Sequence, residues 1–266
     1  MVRVSEPSSP PALTVTDVTV RFSGLTALDS VSFTVDPGSV HAVIGPNGAG
    51  KSTCFNVLSG VYRATAGSVH FGAAELTGLA PHAVADLGIA RTFQNLALPP
   101  HTTVADSLLL GRHRLMRTGF LAAGLRLPAA AREDRRHRER VREIAEFVGL
   151  DGDLAAPAGS LPYGKQKLVE LARALCMEPK LLLLDEPVAG MTADERQRTA
   201  AVIAGVRDGL GISIVLVEHD MGVVMRLADS VTVLDFGKRI GGGTPAQVQN
   251  DPAVIRAYLG EEEPAS

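Results

Sequence analysis

The sequence predicts an α/β fold, a parallel sheet with antiparallel strands at its N-terminal side and a helical subdomain. Three observations carry that reading. Residues 13–22 (LTVTDVTVRF) alternate apolar and polar as a half-buried strand does, and residues 31–35 (VSFTV) repeat the habit after a turn. Three short apolar runs, at 41–44, 181–184 and 212–217, read as strands, the latter two buried on both faces, and each is followed by a helical pattern. Between about 95 and 177 the chain changes character and reads as a mostly helical insert.

The elements follow in order. After the first strands, His41-Ala42-Val43-Ile44 runs into a glycine-rich turn, and residues 51–58 read as a helix. Thr103-Val104-Ala105-Asp106 resembles a capping box ahead of Leu108-Leu109-Leu110. Residues 129–148, rich in Arg and Glu, form a long helix, and residues 165–177 an amphipathic one with Leu168, Leu171, Ala172 and Leu175 on one face. A Thr-Pro pair starts a last helix within 243–259, and the acidic tail 261–266 is expected to fray. Parallel sheets bind ligands beyond the carboxyl ends of their strands, and Gly45, Asp185 and His219 all stand at such ends.

The 266 residues suffice for one large domain or a domain with a subdomain. A 45% hydrophobic and 21% charged composition is that of a globular protein, and a net charge of -3 gives no electrostatic reason for nucleic-acid binding. Cys54 and Cys176 lie in apolar helical patterns with no Cys/His cluster, which points to buried core thiols in a reducing cytosol. No stretch reaches the length of a membrane-spanning helix, and residues 1–12 read as a disordered leader.

Gly45-Pro46-Asn47-Gly48-Ala49-Gly50-Lys51-Ser52 matches G-x-x-x-x-G-K-[ST] in full, between a strand and a helix. Its glycines allow the backbone to aim several N–H groups at one anion, and the helix N-terminus adds its positive end. Lys51 is placed for the β- and γ-phosphates, Ser52 for Mg²⁺, and Thr53 for the α-phosphate. The core is therefore read as a P-loop NTPase.

Leu181-Leu182-Leu183-Leu184-Asp185-Glu186 is an apolar strand ending in two carboxylates. Alone, such a pair is more often a helix cap or a solvated pair. Beside a complete phosphate loop, Asp185 is placed to hold Mg²⁺ through water, and Glu186 to polarise the attacking water as general base. The adjacent base favours hydrolysis over transfer to a bound acceptor.

Leu161-Pro162-Tyr163-Gly164-Lys165-Gln166-Lys167 resembles the signature motif of ATP-binding-cassette (ABC) proteins. Other landmarks of that family occur in order. Thr92-Phe93-Gln94 is similar to the Q-loop, Val217-Glu218-His219-Asp220 to the switch-histidine segment, and Val20-Arg21-Phe22 to the adenine-stacking loop. ARTFQN, LLLLDEPVAGM, VEHDM and the ending GTPAQVQNDPAVIRAYLG resemble the LivG-type subunits of branched-chain amino-acid importers. The resemblance spans residues 13–260.

It implies the ABC ATPase type of fold, with 13–94 and 178–242 as nucleotide-binding core, 95–177 as helical subdomain and 243–266 as C-terminal helix and tail. It implies ATP and Mg²⁺, with Phe22 stacking on adenine, Gln94 binding Mg²⁺ or the lytic water, and His219 donating to the γ-phosphate. It further implies that the phosphate loop and the partner's signature, through Tyr163 and Gly164, clamp each ATP between two cassettes, copies or homologues. Transmembrane permease subunits, and through them a solute-binding protein, complete the expected partners at the inner face of the plasma membrane. Two residues depart from the pattern. Pro162 stands where Ser is usual, and Thr192 stands where many relatives carry Asp, as the start of a Thr192-x-x-Glu195 cap.

Ten arginines crowd residues 112–142. They read as a solvated helix with i,i+3 and i,i+4 pairs, or as a surface facing transmembrane subunits or anionic lipid; without interleaved aromatics, nucleic acid is not expected. Three functions stay open: an importer ATPase for amino acids or for urea, amides and other small solutes; a lipid or lipopolysaccharide transporter ATPase; and a soluble ABC protein.

Overall fold

Ser23 and Gly24 both take positive φ (42° and 96°), the geometry of a two-residue hairpin whose twist suits the flanking strands. The hairpin joins β1 (Leu13–Phe22) to β2 (Leu25–Val35), so the second strand begins six residues earlier than the alternation at 31–35 suggested. The computed structural model describes residues 10–92, 98–99, 101–116 and 128–259. Within them, Thr92–Pro179 and Pro187–Val202 make one compact unit; 10–91, Lys180–Glu186 and 203–259 make the other.

The second unit holds two sheets. One is antiparallel, in the order β2-β1-β4-β5, with β4 at Ala66–Phe71 and β5 at Ala74–Glu75. The other has six strands in the order β10-β9-β3-β8-β7-β6. Its parallel part comprises β3 (Val40–Ile44), β6 (Ile89–Arg91), β7 (Leu181–Asp185), β8 (Ser213–Val217) and β9 (Ser230–Asp235); only β10 (Lys238–Gly243) runs antiparallel. β3, β7 and β8 are buried along their whole length, as continuous apolar runs require in a sheet covered on both faces. Their carboxyl ends deliver Gly45, Asp185 with Glu186, and His219 to one edge of the sheet.

Helix α1 (Lys51–Leu58) follows β3, and α2 (Pro81–Asp86) precedes β6. Phe55, Leu58, Leu183, Val215 and Leu234 belong to one apolar core with the antiparallel strands, which fixes α1 on the sheet. Cys54 lies in that core, and burial pushes its thiol up to about 12.

The first unit is helical. α3 (Val104–Gly111) starts at Thr103, whose side chain accepts the Asp106 N–H. α4 (Pro128–Val148) and α5 (Tyr163–Leu175) pack with it. Not all arginines of this region lie on a solvated face. Arg138 and Arg140 make the expected pairs with Asp134 and Glu143, but Arg112 is buried. Its guanidinium donates to His137 Nδ1 at 2.7 Å and to the Cys176 carbonyl and the Glu178 carboxylate at 3.1 Å. Cys176 is also buried, its thiol pushed up to about 12. Arg117 and Arg126 lie outside the described residues. Helix α6 (Ala193–Leu210) contributes its first half to this unit. The remaining helices, α7 (Met221–Leu227), α8 (Pro245–Gln249) and α9 (Pro252–Leu259), belong to the second unit. No helix among the described residues is long and apolar enough to cross a membrane.

Candidate functional site

The loop between β3 and α1 turns on glycine. Gly45, Gly48 and Gly50 take φ of 148°, 82° and 100°. At Gly45 a side chain has no room, because a Cβ there would collide with the Leu234 carbonyl of β9. Gly50 caps α1 without any side-chain hydrogen bond, and the first turn of the helix carries no acidic residue. Asn47, Gly48, Ala49, Lys51, Ser52 and Thr53 therefore surround a helix N-terminus whose amides have no side-chain cap, a geometry suited to an anion.

Lys51 is nearly buried, and its Nζ donates to the carbonyls of Gly45 (2.7 Å) and Pro46 (2.9 Å). Burial lowers its pKa from the usual lysine value, while the charges of Glu186 and Asp185 raise it in opposition. The ammonium thus stands in the field of both carboxylates.

Asp185 ends β7 with 4% exposure, and its Oδ2 pairs with Nη2 of Arg91 at 3.0 Å. Glu186 takes φ 47°, a left-handed geometry that costs a non-glycine residue about 1 kcal/mol or more. Its N–H donates to the Val217 carbonyl at 2.9 Å, which holds the strained peptide against the end of β8. His219 follows that strand. Its turn is locked by Glu218, fully buried, whose Oε2 accepts the N–H groups of His219 (3.0 Å) and Asp220 (3.3 Å). Asp220 then caps α7 by accepting from Val223 at 3.1 Å. The structure therefore brings together Lys51, Asp185, Glu186 and His219 in the second unit. Among the described residues no three His, Cys, Asp or Glu side chains form a metal cage; the oxygen donors on offer are the Ser52 hydroxyl and the Asp185 carboxylate. Gln94 lies outside the described residues.

Phe22, at the end of β1, is 41% exposed and meets the Tyr62 ring edge-on, with centroids 5.1 Å apart. Tyr62 was not legible as a site residue, although an exposed aromatic shortly after the helix of a phosphate loop is a usable signal. Tyr258 of α9 is another. Burial raises its phenol, and a hydrogen bond with the Gly45 backbone opposes the rise. A cavity of about 570 Å³ beside the loop is lined by Pro46, Asn47, Phe236 and Arg256, among others.

In the first unit, α5 begins at Tyr163, two residues before the expected start at Lys165, so Gly164 is a helical residue. Pro162 supplies the reason. With φ −52° and ψ 148° it serves as N-cap, and its carbonyl accepts the Gln166 N–H at 3.0 Å. No side chain caps this helix either. The Gln166 amide donates back to the carbonyls of Gly159 (3.1 Å) and Leu161 (2.7 Å), fixing the turn before it. A Cβ on Gly164 would stand 2.6 Å from Glu195 Oε1. Glu195 is held there by the reciprocal cap read from the sequence. Its Oε2 accepts the Thr192 N–H at 2.9 Å and the Thr192 hydroxyl at 2.8 Å, and these bonds lower its carboxyl pKa.

The geometry has known counterparts. The ABC transporter family model matches residues 28–189, and that of the branched-chain amino acid ATP-binding cassette transporter matches residues 238–264. The chain is 40% identical over 253 residues to the high-affinity branched-chain amino acid transport ATP-binding protein BraF of Pseudomonas aeruginosa, covering 95% of this chain and 99% of that one. It is 38% identical, with the same coverage, to the protein LivG of Escherichia coli strain K12, described in the same words. The crystal structure of the ADP conformation of MJ1267, an ATP-binding cassette of an ABC transporter, is similar with a TM-score of 0.81 at 31% identity, covering 96% of this chain and 100% of that one.

Proposed function

The chain belongs to the ABC transporter family of ATPases, and on that premise we propose that it energises a membrane importer of branched-chain or related amino acids. The observation that supports the hydrolytic role is the Lys51 ammonium in the field of Asp185 and Glu186 at the carboxyl ends of a parallel sheet. The amino-acid cargo is supported by likeness over nearly the whole length of BraF and LivG and by the match at 238–264.

Each residue has a task. The uncapped amides of α1 and the loop receive the phosphates of ATP. Lys51 exchanges the carbonyls of Gly45 and Pro46 for phosphate oxygens, and the two nearby carboxylates favour its charged form. Ser52 and Asp185 are sparse, hard oxygen donors. Such a pair suits Mg²⁺, which keeps several waters and shares substrate oxygens rather than filling a protein cage. Mg²⁺ held there would neutralise charge on the phosphates, and in this reading Gln94 would bind either Mg²⁺ or the lytic water. Glu186 accepts a proton from the attacking water, and His219, whose Nδ1 lies 4.0 Å from Glu186 Oε1, donates to phosphate. Phe22, with Tyr62 behind it, stacks on adenine.

Tyr163 and Gly164 open a second uncapped helix N-terminus, which serves the nucleotide of a second cassette. The pair of cassettes works with transmembrane permease subunits at the inner face of the plasma membrane, and a solute-binding protein acts through them. The test is uptake of labelled leucine, with labelled urea as comparison cargo, in cells whose only copy of this chain carries Glu186→Gln. Leucine uptake should be lost. Unchanged leucine uptake with lost urea uptake would move the cargo to the amide group, and unchanged uptake of both would remove the transport role.

A further inference from the structure

Arg91, the second residue of ARTFQN, has a place in this site for which the sequence reading gives it no role. It ends β6, whose residues 89–91 pair in parallel with Leu181, Leu182 and Leu183 of β7, so its side chain leaves the sheet beside Asp185. The side chain is 13% exposed, and its guanidinium donates to at least three acceptors among the described residues. Nη2 donates to Asp185 Oδ2 at 3.0 Å. Nη1 donates to Asn56 Oδ1 at 2.7 Å and to Ser59 Oγ at 2.9 Å. Its Cζ lies over the Phe55 ring, 5.7 Å from the centroid.

Asn56 sits on α1, and Ser59, three residues on, is that helix's C-cap, so the two share one face. This is the helix whose first residue is Lys51. The backbone carbonyl of Asn56 also accepts the N–H groups of Val61 (2.8 Å) and Tyr62 (3.0 Å), and Tyr62 carries the ring behind Phe22. One guanidinium therefore touches the helix that presents phosphate donors, the turn that places the aromatic wall, and the carboxylate at the end of β7. A planar fork of fixed donors can hold three acceptors in one geometry; a lysine ammonium on a flexible stem cannot.

We propose that Arg91 is a positioning residue for hydrolysis, fixing the Asp185 carboxylate relative to α1 so that the metal-holding and phosphate-holding groups keep one frame. Its burial and its bonds to Asn56, Ser59 and Asp185 set it behind the reacting groups. Outer partners of this kind typically change metal affinity by about 10–100-fold. This inference rests on the reading of Asp185 as the Mg²⁺-holding carboxylate.

The test measures ATP affinity of the full chain by calorimetry, with Mg²⁺ and with EDTA, for wild type, Arg91→Lys, Arg91→Met and Asp185→Asn. A fifth protein carrying Asn56→Ala with Ser59→Ala loses the α1 side of the fork while keeping Arg91 and Asp185. Affinity in EDTA should stay within about two-fold of wild type. The gain that Mg²⁺ brings should fall about ten-fold in both Arg91 variants and in the double variant, and Asp185→Asn should abolish it. A purely structural role would lower the melting temperature and leave the ratio of the two affinities unchanged; that ratio, unchanged in folded Arg91→Lys and in the double variant, overturns the proposal. If Asp185→Asn also keeps the full Mg²⁺ gain, the reading of Asp185 fails first and the proposal with it.

Discussion

The imidazole Nδ1 of His219 stands 4.0 Å from Glu186 Oε1, each side chain set by a different strand end, β8 for one and β7 for the other. In the proposed function Glu186 is the member that accepts the proton. Glu186→Gln keeps the shape and the strained backbone but loses the basic oxygen. Turnover should fall about 100-fold or more, within the range of a positioned base, while ATP binding stays. Phosphate release and nucleotide titration on the same preparation check this, and a variant that hydrolyses at the wild-type rate removes Glu186 as base.

Lys51 faces a different measurement. Lys51→Ala takes away a charged donor to phosphate, worth about 1.5–3 kcal/mol in affinity. ATP should bind about ten-fold more weakly or worse, with the melting temperature of the free chain little changed. An unaltered dissociation constant would mean that the loop does not hold the triphosphate.

The aromatic wall predicts base selectivity. Phe22→Ala should weaken ATP binding by roughly 1–3 kcal/mol, the usual contribution of one stacked base. Tyr62→Ala should produce a smaller loss in the same direction, because Tyr62 supports the Phe22 ring edge-on rather than offering its own face. Inorganic triphosphate, which has no base, should bind both variants as it binds wild type. A loss of equal size for triphosphate would reassign the pair to loop stability.

His41 gives the fold a pH dependence away from the chemistry. It lies buried in β3, stacked 4.9 Å from Phe33, between the hydroxyls of Ser230 (2.7 Å) and Thr232 (3.1 Å). Burial, helped by the charge of Arg239, lowers its pKa from 6.5 to about 4. Above pH 6.5 both folded and unfolded chains hold it neutral, so it contributes nothing to pH dependence there. Between pH 6.5 and 4 the unfolded chain takes up a proton that the folded chain refuses, and stability falls as pH falls. The loss over that window is about 3 kcal/mol. Urea unfolding at pH 7 and pH 4.5 should show this difference in wild type and a smaller one in His41→Gln; equal slopes would exclude His41 as the source.

The chemistry that was legible in the chain lies in contiguous strings at strand ends. Gly45 to Ser52 announces its geometry locally, because a glycine-rich turn between a strand and a helix has few other uses; Asp185-Glu186 is read only in the company of that loop. The parts that were not legible depend on approach between distant segments. Arg91 and Asp185 are 94 residues apart, and only the parallel pairing of β6 with β7 shows that they meet. Glu195 lies against Gly164 because the Thr192 cap turns it there, a contact that no spacing rule supplies. The helix α5 starts two residues earlier than its apolar face suggests because Pro162, read only as a departure from the usual Ser, is also apt to open a helix. Arg112 was grouped with its exposed neighbours, since a run of one residue type conceals which member points inward.

Cys54, three residues past Lys51 on the same helix, has a thiol sealed in apolar packing and far too weakly acidic to react at neutral pH. Maleimide should therefore label this position only when that helix lifts from the sheet. The labelling rate becomes a built-in gauge of how often the nucleotide cradle comes apart, and saturating ATP should slow it.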